Sequence, residues 1–194
     1  MNVTPNLDRK FSEQEYFDLL INSEIKYEYD NGAITMMAGG KRAHNLTQRN
    51  TFSALDRAKK DCIVYNSDTA VYIAKHNKYY FPDITALCGD EEYTDEGGIE
   101  RILNPQLLVE VLSKSTETKD TGEKFDAYKT LDSFKEYVMI HSKTPHVLTY
   151  YKEEKGLWRI GNYYKMDQEV EFLTLGVKIP MSIIYAGVIF SENG

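Results

Sequence analysis

Tyr80-Phe81-Pro82-Asp83 and, 27 residues beyond, Leu107-Leu108-Val109-Glu110-Val111-Leu112 are the stretches whose reading decides the fold. The second is a short apolar run broken only by Glu110, the pattern of a strand buried on both faces with one acid aimed somewhere special. An ionised carboxylate there is costly unless it is paired, hydrogen-bonded or bound to a metal ion. In the first stretch Pro82 removes a ladder donor and biases its neighbour toward extended backbone, so Asp83 is expected where a strand begins or bends. Two carboxylates at the ends of separate strands can converge on one divalent cation, and a nearby lysine can stabilise the charge that builds on a phosphate under attack. Lys124 is the candidate: Asp120, Lys124 and Tyr128 fall at i, i+4 and i+8 of a predicted helix and share one face. The plain alternative for that face is a solvated Asp120–Lys124 ion pair.

Composition bounds the rest. The chain has 194 residues, 42% hydrophobic and 27% charged, which suits one folded domain with a core of its own. No basic leader precedes an apolar run, and no apolar stretch approaches the roughly 20 residues of a membrane span, so a cytoplasmic location without membrane contact is expected. Cys62 and Cys88 have no neighbouring Cys or His at metal-ligand spacing and are expected as free, partly buried thiols. A formal charge of −7 argues against nonspecific coating of nucleic acid, which draws its strength from Lys and Arg. A local patch is still available, since Lys41, Arg42, Arg49, Arg57, Lys59 and Lys60 stand against the single acid Asp56 in one predicted helix.

Along the chain, Phe11 to Asn22 reads as an amphipathic helix opened by a Ser12–Glu15 capping box. Ile25 to Asp30 and Ala33 to Met37 form a hairpin around Asn31-Gly32, and Arg42 to Lys60 forms a second helix. Residues 61–87 are rich in β-branched and aromatic side chains and read as strands, whereas the acidic segment 89–98 reads as an exposed loop or short excursion. A helix from about Glu117 to Thr130, a strand over Glu136 to Ile140, a hairpin over 147–160 and short strands near 170–179 follow. The sum is a mixed α/β sheet with helices on its faces. By alternation with Lys26 and Asp30, Glu28 belongs to the polar face of the first hairpin and reads as a surface acid. His44, near the start of the basic helix, is a titratable group able to contact a phosphate or carry a proton.

Together these residues resemble the Uma-type restriction endonucleases, a bacterial family of unknown function within the PD-(D/E)XK nuclease superfamily. The resemblance rests on Lys26-Tyr27-Glu28-Tyr29-Asp30-Asn31-Gly32, His44, Pro82-Asp83, and above all Leu108 to Ser113 continuing through Ser115-Thr116, Asp120, Gly122-Glu123-Lys124 and Tyr128. It spans nearly the whole chain. It implies one restriction-endonuclease-like domain over 1–194, with a mixed central β-sheet flanked by helices, an extra N-terminal helix and hairpin, and C-terminal strands. It further implies a Mg²⁺ site, open also to Mn²⁺, formed by Asp83, Glu110 and the Val111 carbonyl, with Glu28 and His44 lining the same cleft. The superfamily lysine normally stands two residues after the second acid, where this chain has Leu112, so the role passes to Lys124, with Lys114 as a rival. The expected activity is phosphodiester hydrolysis of nucleic acid, DNA ahead of RNA, in a chain that can pair as a homodimer. Two other readings compete: a nuclease-fold module that binds nucleic acid or a protein partner without cutting, and a sugar hydrolase using Asp83 and Glu110 as paired acids.

Overall fold

The computed structural model describes residues 9–37, 39–59, 61–96, 98–113 and 117–190. Helix α1 (Glu13–Ile21) starts at the expected capping box, Ser12 and Glu15 each satisfying the other's backbone amide. Strands β1 (Tyr27–Asp30) and β2 (Ala33–Met36) pair antiparallel around Asn31 and Gly32. Both turn residues have positive φ, 44° and 101°, which is what a two-residue hairpin turn asks of them. Helix α2 (Arg42–Ala58) follows; Lys60, placed in it by the sequence, lies outside the described residues, as does the rival Lys114.

The β-rich stretch divides into β3 (Cys62–Asn66), β4 (Ala70–Ile73), β5 (Lys78–Tyr80) and β6 (Ile84–Cys88). The expected acidic loop is instead part of a hairpin, β7 (Tyr93–Glu96) with β8 (Ile99–Ile102). Its charges are tolerated because β7 is the outer strand of its sheet, and charged side chains suit an edge. Then come β9 (Leu107–Leu112), a π-helical turn (Lys119–Lys124) running into α3 (Phe125–Tyr128), and β10 (Glu136–His141). The chain continues through β11 (His146–Lys152), β12 (Trp158–Tyr163), β13 (Glu169–Phe172), β14 (Val177–Pro180) and α4 (Met181–Ile184).

Among the described residues the strands form two six-stranded sheets, ordered β2-β1-β5-β4-β8-β7 and β12-β11-β10-β9-β6-β3, plus the β13–β14 pair. Both large sheets are mixed: β9 runs parallel to β10 and β4 parallel to β8, the other neighbours being antiparallel. A parallel neighbour needs a crossover, and the π turn with α3 supplies it between β9 and β10. All six residues of β9 are buried, so both faces of its sheet are covered. On one face Val109 and Val111 pack with Leu55 of α2 and with Met181 and Ile184 of α4. On the other, Leu108 and Leu112 pack with Tyr128 of α3 and with Val71, Ile73 and Tyr80 of the first sheet.

The structure corrects the expectation of free thiols: Cys62 and Cys88 form a disulfide. They are 26 residues apart in sequence but directly opposite one another in the β3–β6 register, a proximity that residue spacing cannot show.

Leu55 is fully buried where α2 meets the sheet. Leu55→Ala should destabilise the protein by about 2–5 kcal/mol, from lost transfer energy plus the cavity left behind. Urea unfolding would show this as a lower midpoint with an unchanged slope.

Candidate functional site

Asp83 stands where the chain leaves the first sheet at β5, passes through Phe81-Pro82 and enters the second sheet at β6. Proline ends the ladder there, so the Asp83 side chain is not consumed by sheet packing. Its Oδ2 accepts a 2.7 Å hydrogen bond from the Val111 amide of neighbouring β9. Its Oδ1 lies 3.2 Å from His44 Nε2, and its own carbonyl accepts from Gln48 Nε2 at 3.1 Å. His44 and Gln48 lie one turn apart on α2, so the helix reaches over this strand junction with two polar side chains. Burial works against a charged His44 imidazole, but the Asp83 carboxylate and the Val111 carbonyl outweigh it and raise its proton affinity above the ordinary histidine value.

One residue before Val111, Glu110 projects from the opposite face of β9, the side of Leu108 and Leu112. Its Oε1 accepts from Lys124 Nζ and from Tyr128 Oη, both at 3.0 Å. Lys124 Nζ also lies 2.8 Å from Glu28 Oε1 and 3.3 Å from Asp120 Oδ1. The ammonium group thereby stands within ion-pair distance of three carboxylates and hydrogen-bonds Glu110. Lys119 Nζ binds the second Glu28 oxygen at 2.8 Å, and the Tyr80 ring lies under both lysines, 5.1 Å from Lys119 Nζ and 5.5 Å from Lys124 Nζ. An outer ring continues the network: Lys78 bridges Asp30 at 2.7 Å and Glu123 at 3.0 Å, and Tyr80 donates to Glu123 at 3.1 Å. A hydrogen bond from Asp30, helped by Lys78, holds Glu123 down to about 2.

The wider π turn explains how both lysines meet one carboxylate. Residues five apart on an α-helix are about 140° apart around its axis and cannot share a partner, whereas a π turn closes on the fifth residue. The i, i+4, i+8 face of Asp120, Lys124 and Tyr128 is present as expected, but it is buried against Glu110 and not solvated. Glu28 departs from its surface reading: it is buried, because the polar face of the hairpin is covered by Lys119 and Lys124. Lys119 and Gln48 escaped sequence reasoning, since lysine and glutamine on exposed-looking helices carry no signal of their own; the Asp30–Lys78–Glu123 ring did so because its members come from three elements.

Electrostatically the cluster is short of positive charge, with Glu28, Asp83, Glu110 and Asp120 facing two lysines and one imidazole. Burial pushes the Glu110 carboxyl well above the usual range; Lys124 opposes this, while the charges of Asp120, Asp83 and Glu28 add to it. Burial also disfavours the Lys124 ammonium, yet Glu110, Glu28 and Asp120 hold its proton far more tightly than usual. For Glu28, the two lysines overcome burial and keep its carboxyl below the ordinary value. Among the described residues no three His, Cys, Asp or Glu side chains gather in ligating geometry. A hard dication such as Mg²⁺ is commonly held by one or two carboxylates, with oxygens of water and substrate completing its shell. Asp83 and Glu110 supply that donor set, Glu110 once it gives up its proton.

A family model described as Uma2, "Putative restriction endonuclease", matches residues 13–182. The chain belongs to this Uma2 family. Two curated Synechocystis sp. relatives align with it: the uncharacterized protein slr1290, 31% identical over 183 residues (93% of this chain, 94% of the relative), and the uncharacterized protein sll1609, 28% identical over 163 residues (81% and 90%). Among solved structures, one described as a putative nuclease belonging to DUF820, from Anabaena variabilis, superposes with a TM-score of 0.70 at 14% identity, covering 90% of this chain and 99% of that one. The likeness shows that this chain shares its mixed α/β fold with that structure. No helix among the described residues is long and apolar enough to cross a membrane.

Two outcomes test the geometry. Lys124→Met leaves Glu28, Glu110 and Asp120 around an apolar tip, and should cost about 3–5 kcal/mol, the range for breaking a buried ion pair from one side; denaturant unfolding measures it. His44 should titrate above the ordinary histidine value in metal-free protein, and His141, lowered by burial and by His146, below it. Because folding raises the His44 value, the stability it contributes is fully present below its unfolded value and is lost as pH rises through the folded one. The stability difference between the native protein and His44→Gln should therefore be greatest below the ordinary histidine value of about 6.5 and shrink as pH rises above it, as followed by unfolding across a pH series.

Proposed function

We propose that the protein is a divalent-metal-dependent nuclease that hydrolyses phosphodiester bonds of nucleic acid, DNA in the first instance. The observation that carries this reading is Glu110: a carboxylate with raised proton affinity, in the middle of a buried strand, one residue from the amide that binds Asp83. Asp83, Glu110 and the Val111 carbonyl would hold Mg²⁺ or Mn²⁺. Bound there, the cation would polarise the scissile phosphate and acidify an attacking water.

The remaining work belongs to the chain itself. The Val111 amide fixes Asp83 Oδ2, so that carboxylate is oriented before any ligand arrives. Lys124 and Tyr128 both bind Glu110 Oε1, which leaves the other oxygen of that carboxylate outside these two bonds. Glu28 and Asp120 keep Lys124 charged. A phosphate that displaced one of these carboxylates would receive that charge at close range. His44, with its proton shared toward Asp83, can pass a proton to a departing oxygen or hold a phosphate oxygen.

A second reading has its own support. With three carboxylates around its ammonium group, Lys124 is more firmly committed to holding the site together than a lysine free to meet phosphate. That arrangement also suits a nuclease-fold module that binds nucleic acid without cutting it.

Calorimetric titration of Mn²⁺ and Mg²⁺, paired with cleavage of single-stranded and duplex oligonucleotides, separates the two. For the nuclease, saturable metal binding and cleavage are both lost in Asp83→Asn and Glu110→Gln, with cleavage down at least about 100-fold, as for loss of an electrostatic catalytic group. Oligonucleotide binding without cleavage, unchanged in both variants, would overturn the nuclease in favour of the binding module.

A further inference from the structure

The face of the second sheet that carries Glu110 also carries a line of stacked rings. In the parallel β9–β10 register Glu110 lies opposite Met139, and Leu112 lies opposite His141. Side chains two residues apart on a strand point the same way, so His141 stands on the Glu110 face, one step beyond it toward the C-terminal end of β9. His141 pairs in register with His146 of β11, and Tyr164 directly follows β12, whose Tyr163 pairs with Val147. The rings of His141 and His146 are stacked at 4.5 Å with 7° between their planes, and those of His146 and Tyr164 at 4.4 Å with 17°.

The ladder is held from several sides. Asn162 accepts at 2.9 Å from His146 Nε2, or donates to it in the other tautomer, through Oδ1 or a flipped amide, and its Nδ2 donates to Tyr164 Oη at 2.6 Å. Beneath the turn, Tyr185 Oη accepts from the His146 amide at 3.1 Å and lies 2.9 Å from the His141 and His146 carbonyls. Ser142 Oγ donates to the Leu112 carbonyl at 2.7 Å, which locks the turn to the end of β9 and so to the candidate site. Burial and the neighbouring His146 lower the proton affinity of His141, against the Glu117 carboxylate 3.9 Å from its Nδ1. Towards solvent the ladder ends in Tyr164, 56% exposed, with exposed Lys143 in the β10–β11 turn and Lys165 next in sequence.

A rigid aromatic face open to solvent, flanked by cationic side chains and continuous with a carboxylate site, has the chemistry that single strands use: bases stack on rings while lysines meet the backbone. Paired bases, stacked inside a duplex, cannot present a free face to such a ring. We infer that the His141–His146–Tyr164 ladder is a stacking platform for unpaired bases of a nucleic-acid strand, with Tyr164 taking the first base and the strand running on toward Asp83 and Glu110. This rests on the nuclease reading for what happens at the site, but not for the binding itself.

The test is therefore binding without metal. Fluorescence anisotropy in chelator would compare a labelled single-stranded DNA, the same sequence as RNA, its duplex, and a strand with abasic positions, against the native protein, Tyr164→Ala, Tyr164→Phe and His146→Ala. The platform predicts that the native protein prefers one or both single strands over duplex and over the abasic strand. It also predicts that Tyr164→Ala weakens single-strand binding by at least about five-fold, the lower end of loss of one stacked base, while Tyr164→Phe stays close to native. Tyr164 is largely exposed, so an unchanged melting temperature in Tyr164→Ala would separate lost binding from lost folding. Equal affinity in Tyr164→Ala, equal affinity for the abasic strand, or binding to duplex alone would overturn the platform. A native protein that binds the single strand through Tyr164 yet cleaves nothing when Mn²⁺ is restored would overturn the nuclease reading and leave the platform standing.

Discussion

Lys124 draws together three acids from separate parts of the chain: Glu28 on β1 of the first sheet, Glu110 on β9 of the second, and Asp120 a turn earlier on its own helix. None of these groups is comfortable alone in a buried setting, where an uncompensated charge costs several kcal/mol. Each is held by the others, so the two sheets and the crossover helix share one electrostatic junction. The Tyr80 ring beneath the lysines and the Tyr128 hydroxyl on Glu110 complete its enclosure. An ion cluster of this kind adds little net stability compared with an apolar filling. What it provides is a fixed place for Glu110.

The site inherits its character from that junction. Without the π turn, Lys119 and Lys124 would point to different sides of the helix and Glu28 would keep only one of them. With it, both oxygens of Glu28 are engaged and Lys124 is left to face Glu110 and Asp120. Next to Glu110 along β9 the Val111 amide orients Asp83, and α2 brings His44 to the same carboxylate. The antiparallel register of β6 and β9, Ile84 opposite Val109, sets Asp83 just before β6 beside Glu110, so two acids 27 residues apart in the chain meet at one strand junction. Carboxylate oxygens set together in this way are the donors a hard cation would use.

Much of this was legible from local pattern. An acid inside an apolar run and an acid after proline marked Glu110 and Asp83, and helical spacing placed Asp120, Lys124 and Tyr128 on one face. What was misread shares a single cause. The alternation around Glu28 is that of a strand with one wet face, and only the helix packed above it makes that face dry. The acids of 89–98 are as compatible with an edge strand as with a loop. Cys62 and Cys88 show no pairing signal because their proximity is a matter of strand register. Lys119 looks like any helix lysine until the turn widens beneath it.

By itself, then, the sequence determined the α/β class, the capped first helix, the Asn31-Gly32 hairpin, the buried strand β9 and the family, because these follow from periodicity, turn chemistry and short-range motifs. The tertiary structure alone decided that the strands form two sheets, that Glu28 and Lys124 are buried partners, that Asp83 is held by the Val111 amide, and that His141, His146 and Tyr164 stack. Each of these depends on which distant segments lie side by side. A residue's own neighbours in the chain set its local conformation, but the burial of a charge and the pairing of a ring are properties of surfaces that meet only when the chain has folded.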